Sequence, residues 1–244
     1  MKVVAIIQAR MGSTRLPGKV MKKIVGKTVL EHVIERVKRS KEINEIVIAT
    51  TTKEDDDVIV KEAERLNVKY FRGSEDDVLS RYYYAAKEHH ADIVVRITSD
   101  CPLIDPNITD GIIGYYNKHN YDIVTNAGSN LNQRTYPRGL DTEVFSIEQL
   151  EEAFKNAKEE YQREHVTPYL YEKSNKIYYY KNNDDYSNYR WTLDTPEDFK
   201  LITEIYEHLY KGESNFFLEE IINLFKEKPE LIKINQGIEQ KKIK

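Results

Sequence analysis

The sequence predicts an α/β protein with a mostly parallel sheet and helices on both of its faces. Short β-branched runs alternate with longer segments of helical spacing through the first hundred residues, which is typical of strand–helix–strand units. Hydrophobic residues make up 40% of a chain of 244 residues, enough to bury a full core. No internal repeat or low-complexity stretch interrupts this pattern.

The elements of the first half follow from two local patterns. Val3–Gln8 opens with an apolar run and is predicted to be a buried strand, whereas Val29–Val37 has apolar residues at the spacing of a helix face. The same patterns then repeat along the chain. They predict strands at Glu45–Thr50, Val68–Phe71 and Asp92–Thr98, and helices at Asp57–Leu66 and Asp77–His90.

The rhythm changes after residue 100, where prolines mark a turn and residues 127–141 form a polar segment. Thr195 before Pro196 is a typical helix start. The predicted strands here are Tyr121–Asn126, Glu143–Ser146, Lys176–Lys181 and Tyr189–Leu193, and the predicted helices are Ile108–Lys118, Ile147–Ala157, Gln162–Lys173, Thr195–Tyr210 and Phe216–Lys226. We expect the lysine-rich tail after Pro229 to fray.

Composition and charge exclude several classes of protein. The net charge is −4, which argues against a general nucleic-acid binder, since such proteins are usually strongly basic. No apolar run approaches the length of a membrane span, and the chain begins without a signal-peptide pattern. Cys101 is the single cysteine, so neither an internal disulfide nor a zinc site is expected. We therefore expect a cytoplasmic protein.

The most informative segment is the loop after the first strand, which runs from Gln8 to Lys19 with the sequence QARMGSTRLPGK. Ligands of parallel sheets bind at the carboxyl ends of the strands. A polyphosphate requires free backbone N–H groups and fixed cations, and this loop offers both. The spacing of its glycines and the Val20 after Lys19 differ from a Walker A motif. A phosphate-binding loop and a charged surface loop are the two interpretations.

Two aspartates follow predicted strands and form a second candidate group. Asp100 lies just past a buried strand, on the same sheet edge as the loop, and Asp194 ends the last predicted strand. Carboxylates suit Mg²⁺ bound to phosphates, and Asp194 is the best-placed second carboxylate. The alternative is a turn or helix-start role, which is strongest for Asp194 because Thr195 and Pro196 follow it.

Six segments, taken together and in order, resemble the type 3 cytidylyltransferases. This is the group of the spore coat polysaccharide biosynthesis protein F, and the segments are also similar to the Kdo and acylneuraminate cytidylyltransferases. The matching segments are IIQARMGSTRLPGKVM (6–21), FRGSEDDVLSRY (71–82), RITSDCPLIDP (96–106), YPRGLDTEVFS (136–146), REHVTPYLY (163–171) and RWTLDTPEDF (190–199).

The resemblance implies a three-layer α/β/α nucleotidyltransferase fold, Rossmann-like and GT-A-like, in a single domain. Residues 127–190 would form a lobe that binds the acceptor and joins two copies into a homodimer. The implied reaction joins CTP to an acidic sugar, with Mg²⁺ as cofactor, and gives a CMP-sugar and pyrophosphate for a surface polysaccharide. No nucleic acid or membrane partner is implied.

The resemblance also assigns roles to residues. Arg15, Lys19 and Asp100 would be catalytic, and Asp100 and Asp194 would bind Mg²⁺. The implied nucleotide-binding residues are Gln8, Ala9, Arg10, Gly12, Ser13, Arg15, Lys19, Gly73 and Asp77.

The acceptor side rests on polar residues of the segments 127–146 and 161–171. Arg138, Glu143 and His165 are the candidate acceptor-binding residues, because an arginine can form a forked contact with a sugar carboxylate. The chain departs from the sialic acid enzymes at Gln8 and from the Kdo enzymes at residues 98–102, so the sugar stays open. Alternatives are a nucleotidyltransferase with another nucleotide or acceptor, a GT-A glycosyltransferase and a non-catalytic nucleotide-binding module.

Overall fold

A seven-stranded sheet forms the centre of the molecule, in a computed structural model that describes residues 1–128 and 130–240. The strand order is β5-β4-β1-β6-β8-β7-β9, and β2 and β3 form a separate hairpin. The strands are β1 (Val3–Gln8), β2 (Lys23–Ile24), β3 (Lys27–Thr28), β4 (Glu45–Thr51), β5 (Lys69–Gly73), β6 (Ile93–Thr98), β7 (Ile123–Thr125), β8 (Glu143–Ser146) and β9 (Ile177–Tyr179).

Helices cover both faces of this sheet. They are α1 (Val29–Val37), α2 (Asp57–Arg65), α3 (Val78–Glu88), α4 (Pro106–Lys118), α5 (Ile147–Asn156), α6 (Glu160–His165), α7 (Pro168–Lys173), α8 (Pro196–Leu209) and α9 (Leu218–Glu227). Side chains alternate between the faces along a strand. Ala5 and Ile7 of β1 therefore pack with α1, α2, α4, α8 and α9, whereas Val4 and Ile6 pack with α3, α5 and α7.

The sheet is parallel except at β8, which confirms the predicted fold class. Strands β5, β4, β1 and β6 are parallel neighbours, and β8 is antiparallel to both β6 and β7. Arg96 near the end of β6 pairs with Glu143 at the start of β8. The carboxyl ends of β1 and β6 and the beginning of β8 thus meet at one edge of the sheet. Residues 127–190 contribute β8 and β9 to this same sheet.

Most predicted elements agree with the structure to within two residues at each end. The single helix predicted over Gln162–Lys173 is wrong, because the chain forms α6 and α7 with a break between them. Val166 at the break has a φ of 72°, and Pro168 opens the next helix. A proline has no N–H to donate inside a helix, and the positive φ of Val166 turns the chain before Pro168, so one helix does not run through.

The strand predicted at Tyr189–Leu193 is also wrong. This stretch forms only an isolated bridge, between Arg190 and Arg138. Gly139, with a φ of 101°, allows the backbone of Trp191 to approach so closely that an added Cβ would lie 2.4 Å from its carbonyl carbon. Close packing of Trp191 against Gly139 therefore holds this stretch in place, although the stretch forms no strand ladder.

The expectation that the chain frays after Pro229 is wrong for residues 229–240. Pro229–Ile234 is a 3₁₀ helix, and Leu231 is buried. Asn235 donates from Nδ2 to the carbonyl oxygen of Arg190 at 2.9 Å. The tail therefore packs because it has an apolar anchor and a buried amide. Residues 241–244 lie outside the described residues.

Of the helices described in residues 1–128 and 130–240, none combines the length and the apolar character that crossing a membrane requires.

Candidate active site

The loop between β1 and the 3₁₀ turn at Lys19–Met21 is folded back on itself by hydrogen bonds. The backbone N–H of Gly18 donates to the carbonyl oxygen of Met11 at 3.1 Å, and Met11 donates its own N–H to Asp56 Oδ1 at 2.7 Å. Gly18 has a φ of 65°, a conformation that glycine adopts at little cost. The turn therefore places Lys19 at a defined position on the edge of the sheet.

The ammonium group of Lys19 lies between two carboxylates. Its Nζ is 2.8 Å from Asp100 Oδ2 and 2.8 Å from Asp194 Oδ1. Asp100 follows β6, and Asp194 lies just before α8. The structure therefore brings together three residues that the sequence places in three separate segments.

The charges of this cluster shift the pKa values of Asp100 and Lys19. Burial would raise the pKa of Asp100, but the charge and hydrogen bond of Lys19 and a hydrogen bond from Thr98 bring it down from 3.8 to about 2. Burial would lower the pKa of Lys19, but the two carboxylates raise it above its ordinary value of 10.5. Asp100 and Lys19 therefore both carry their charge at neutral pH.

Two arginines complete the surroundings of Asp194. Arg15 Nη2 lies 3.0 Å from Asp194 Oδ2, and Arg190 Nη2 donates to the same oxygen at 2.9 Å. Asp198, which is fully buried, accepts from Arg190 Nε at 2.9 Å and from the backbone N–H of Asp194 at 3.0 Å. Asp198 thus fixes both the carboxylate-bearing residue and the arginine beside it.

The donor set fits a magnesium ion that arrives with phosphates. Within the described part of the chain, no group of three or more His, Cys, Asp or Glu side chains is placed to hold a metal. Mg²⁺ is commonly bound by one or two carboxylates together with substrate phosphates and water. Asp100 and Asp194 supply two carboxylates, and the position between them already accepts a cation, the Lys19 ammonium group.

The other predicted nucleotide-binding residues lie along the same edge, on both sides of the loop. Gln8 Oε1 accepts a hydrogen bond from Arg96 Nη2 at 3.4 Å, and the backbone N–H of Ala9 donates to the carbonyl oxygen of Ala49 at 3.1 Å. Ser13 Oγ accepts from a backbone N–H within the loop at 3.3 Å. These residues frame the loop and leave its outer surface open to a ligand.

Toward β5, the structure places four further predicted residues. Arg10 Nη1 lies 3.7 Å from Glu75 Oε1, and Gly12 faces the same carboxylate. A Cβ on Gly73 would lie 2.7 Å from Arg81 Cγ. Asp77 caps α3 by accepting from the N–H of Ser80 at 2.9 Å and also forms an ion pair with Arg163. Its carboxylate is therefore engaged in fixing α3 and α6.

The predicted acceptor residues are not gathered in one place. Glu143 is buried and accepts hydrogen bonds from Arg96, from Thr167 Oγ1 at 2.9 Å and from Tyr171 OH at 2.5 Å. His165 ends α6, and its Nε2 lies 4.0 Å from Glu164 Oε2. The Glu143 carboxylate is therefore bonded to other side chains, and it contributes to the wall of the site by holding them in place.

Arg138 lies apart from Glu143 and beside Arg190. Its backbone N–H donates to the carbonyl oxygen of Tyr189 at 3.1 Å. Its half-buried side chain lines a cavity of about 280 Å³ that Arg190, Tyr189 and Trp191 also line. The cavity is therefore lined by both cationic and aromatic side chains. One of them is Arg190, the arginine that contacts Asp194.

Comparison with known proteins identifies the family. A family model described as cytidylyltransferase matches residues 4–242. The chain is 42% identical over 245 residues to an uncharacterised protein of Methanocaldococcus jannaschii, covering 99% of this chain and 97% of that protein. It is 30% identical over 213 residues to the spore coat polysaccharide biosynthesis protein SpsF of Bacillus subtilis, covering 84% and 86%. The chain belongs to the cytidylyltransferase family.

A solved structure agrees with this assignment. A cytidylyltransferase from Leptospira borgpetersenii superposes with a TM-score of 0.89 at 36% identity, covering 99% of this chain and all of that one. The cytidylyltransferase described here is therefore an enzyme of the nucleotidyltransferase class. The family resemblance drawn from the six sequence segments is confirmed.

Sequence reasoning missed several residues of this cytidylyltransferase that the structure places at the site. Arg190 and Asp198 flank Asp194 four positions away on either side, and this spacing of charges in RWTLDTPED was a usable signal. Arg96 is a charged residue within an otherwise apolar strand, which was a second signal.

Proposed function

We propose that this cytidylyltransferase transfers CMP from CTP to a hydroxyl group of an acidic sugar and releases pyrophosphate, with Mg²⁺ as its metal. The observation that carries the proposal is the position of Lys19 between Asp100 and Asp194, with Arg15 beside them. A triphosphate needs cations and a divalent metal needs carboxylates, and this cluster offers both at the end of β1.

In this reaction the acceptor hydroxyl loses its proton to water, its oxygen forms a bond to the α-phosphorus, and the bond from that phosphorus to pyrophosphate breaks. Lys19 and Arg15 donate to the phosphate oxygens, and they neutralise the charge that develops on the departing pyrophosphate. Asp100 and Asp194 would hold the metal, and Mg²⁺ bound there would polarise the α-phosphate and favour ionisation of the attacking hydroxyl. Most of the catalytic effect thus comes from positioning and charge neutralisation.

We further propose that the acceptor carries a carboxylate that Arg138 binds. Arg138 lines the cavity beside Arg190, and a guanidinium can bind a carboxylate through two parallel hydrogen bonds. Glu143 and His165 stay predictions as acceptor contacts. The name of the Bacillus subtilis relative concerns spore coat polysaccharide, and we propose a role in surface polysaccharide synthesis in the cytoplasm by analogy. A homodimer through residues 127–190 likewise stays a prediction.

Pyrophosphate release tests this function directly. Each of CTP, GTP, UTP and dTTP is incubated with Mg²⁺ and a panel of acidic sugars, in parallel with the Asp100→Asn variant. We expect release that depends on CTP and on a sugar and is lost in the variant. Preference for another nucleotide would overturn the cytidine assignment. Tight CTP binding with no release from any sugar would favour a binding module or an acceptor outside the panel.

A further inference from the structure

The tail at residues 229–240 carries a buried amide into the interior of the molecule. Its 3₁₀ helix packs against α8 and α9, and the buried side chain of Leu231 anchors that helix to the core. Asn235, which directly follows the helix, is buried as well. In the sequence it lies 37 positions beyond Asp198, so it is the packing of the tail that brings these two side chains together.

The side-chain nitrogen of Asn235 donates two hydrogen bonds. Nδ2 lies 2.8 Å from Asp198 Oδ1 and 2.9 Å from the carbonyl oxygen of Arg190. An amide nitrogen carries two hydrogens, so both of them are used. The stretch around Arg190 is otherwise joined to Arg138 by an isolated bridge. Asn235 therefore gives this stretch a backbone contact of the kind that a neighbouring strand gives within a sheet.

Asp198 links Asn235 to Asp194. The Asp198 carboxylate is fully buried and also accepts from Nε and Nη2 of Arg190, at 2.9 and 3.0 Å. It accepts in addition from the backbone N–H groups of Asp194 at 3.0 Å and Thr195 at 3.1 Å. A buried carboxylate is costly unless its oxygens receive hydrogen bonds. Loss of the Asn235 donor would therefore let the Asp198 carboxylate shift, together with the groups that it holds.

Arg190 in turn fixes the orientation of the Asp194 carboxylate. Its Nη2 donates to Asp194 Oδ2 at 2.9 Å, and the other oxygen, Oδ1, faces Lys19 Nζ at 2.8 Å. Oδ1 is thus the oxygen that points to the position proposed for the metal. Gln240, further along the tail, accepts a hydrogen bond from Nη1 of the same arginine. The tail therefore contacts both the backbone and the guanidinium group of Arg190.

We propose that Asn235 is a positioning residue for nucleotidyl transfer, and that it keeps the Asp194 carboxylate in the orientation that a metal ion requires. It acts through its hydrogen bonds to Asp198 and to the backbone of Arg190. This inference rests on the proposed function, because it assigns the tail a task in that reaction. Replacing a residue that orients a metal ligand typically costs about 10- to 100-fold in metal affinity or activity. Since Asn235 acts through intermediate groups, we expect the lower end of that range.

Two variants of Asn235 test the proposal through kcat and metal affinity. The kcat for pyrophosphate release is measured with CTP, Mg²⁺ and the acidic sugar that gives the highest rate, and Mn²⁺ affinity is measured on the nucleotide-free protein by electron paramagnetic resonance. Asn235→Leu keeps the approximate size of the side chain and removes the donor, so both quantities should fall about tenfold. Asn235→Asp places an acceptor beside Asp198 Oδ1 and should have the larger effect.

The fluorescence of Trp191 adds a measurement that needs neither metal nor turnover. Trp191 is the single tryptophan of the chain, follows Arg190 directly and is fully buried. Quenching of its emission by acrylamide therefore reports whether this stretch has loosened. We expect more quenching in Asn235→Leu than in the wild type, at a temperature where both proteins are folded.

Asn44→Ala is the matched control for a general loss of stability. Asn44 Oδ1 accepts from the backbone N–H of Val3 at 2.7 Å, which is again a contact between distant segments. Val3 begins β1, whereas Lys19 lies beyond the end of that strand. We expect the control to melt at a lower temperature than the wild type, while kcat, Mn²⁺ affinity and Trp191 quenching stay unchanged.

Three outcomes would overturn the proposal. An unchanged kcat or an unchanged Mn²⁺ affinity in Asn235→Leu would leave Asn235 with a role in packing alone. Losses of the same size in Asn44→Ala would show that the effect is general destabilisation. Unchanged Trp191 quenching in Asn235→Leu would show that the Arg190 stretch is not involved. A wild-type protein that releases no pyrophosphate from CTP would instead contradict the proposed function, and Mn²⁺ affinity and quenching would still decide the role of Asn235.

Discussion

Asp100 and Asp194 share one ammonium group, with the Nζ of Lys19 lying 2.8 Å from an oxygen of each. The two carboxylates are thereby held facing the same point, although they come from well-separated segments of the chain. Two like charges at this separation repel each other unless a cation lies between them. The site is therefore built to contain positive charge at its centre, and Lys19 supplies it in the free protein.

Replacing either carboxylate should remove most of the activity. We expect Asp100→Asn and Asp194→Asn each to lower kcat for pyrophosphate release from CTP by at least about 100-fold, because each would remove one of the proposed metal ligands. Asp110→Asn is the control, since Asp110 accepts from Ser40 and Lys41 on the surface, away from the cluster. Activity within a few-fold of wild type in both site variants would contradict the assignment of these ligands.

Lys19 should compete with a metal ion for the two carboxylates. Removing its charge in Lys19→Met leaves Asp100 and Asp194 without their shared cation, so we expect Mn²⁺ to bind the nucleotide-free protein about tenfold or more tightly than it binds the wild type. Electron paramagnetic resonance of free Mn²⁺ measures this without any turnover. Lys22→Met, which alters a neighbouring lysine that lies over the Phe199 ring, should leave Mn²⁺ affinity unchanged. Weaker Mn²⁺ binding in Lys19→Met would refute the competition.

His32 should make the fold sensitive to mild acid. It is fully buried, and burial lowers its pKa below 6.5 despite a hydrogen bond to the carbonyl oxygen of Ile24. The unfolded chain therefore binds a proton at a higher pH than the folded one. The resulting stability is present above about pH 6.5 and is lost as the pH falls through the folded pKa.

Urea unfolding from about pH 7.5 to about pH 5 measures this loss in the wild type and in His32→Gln, which stays neutral throughout. We expect the wild type to lose more unfolding free energy than the variant over that range, because the other titrating groups are common to both. Parallel curves for the two proteins would show that His32 does not contribute.

Gly139 and Gly114 should respond in opposite ways to alanine. Gly139→Ala would place a Cβ 2.4 Å from the carbonyl carbon of Trp191 at a φ of 101°, so we expect it to lower the free energy of unfolding by more than about 2 kcal/mol. Gly114 lies within α4 with no atom near its potential Cβ, and Gly114→Ala should raise that free energy by up to about 1 kcal/mol. Thermal unfolding of both variants decides whether the approach at Trp191 is as tight as described.

The sequence was sufficient to predict the parallel strands β5, β4, β1 and β6 and to predict that Asp100 and Lys19 lie at the same edge of the sheet. Both residues follow apolar runs, and the carboxyl ends of neighbouring parallel strands meet at one edge. The charge spacing in RWTLDTPED was the signal for the contact between Arg190 and Asp194, but the sequence did not reveal that Asn235 of the distant tail would bond to both Arg190 and Asp198. Local sequence patterns report on residues that are close along the chain. The tail at residues 229–240 instead packs against residues that are distant in sequence.

The break at Val166 and the two buried Arg81 nitrogens that form no hydrogen bond were hidden for a different reason. The segment Gln162–Lys173 has a continuous helical pattern, and only the Thr167–Pro168 pair opposes it. Whether an arginine finds a partner depends on every side chain around it and cannot be read from one position. Tertiary packing decides both features.

The antiparallel strand β8 has an evolutionary consequence. Since β8 runs antiparallel to β6, the long segment between β7 and β8 reaches the edge that carries Lys19 and Asp100 at the beginning of a strand. The loop from Gln8 to Lys19, which we propose binds the phosphates, instead leaves from the end of a strand. Insertions or substitutions within residues 127–141 can therefore reshape the acceptor side without changing the register of β5, β4, β1 and β6. A lineage built on this scaffold could diversify its sugars while its nucleotide chemistry stayed constant.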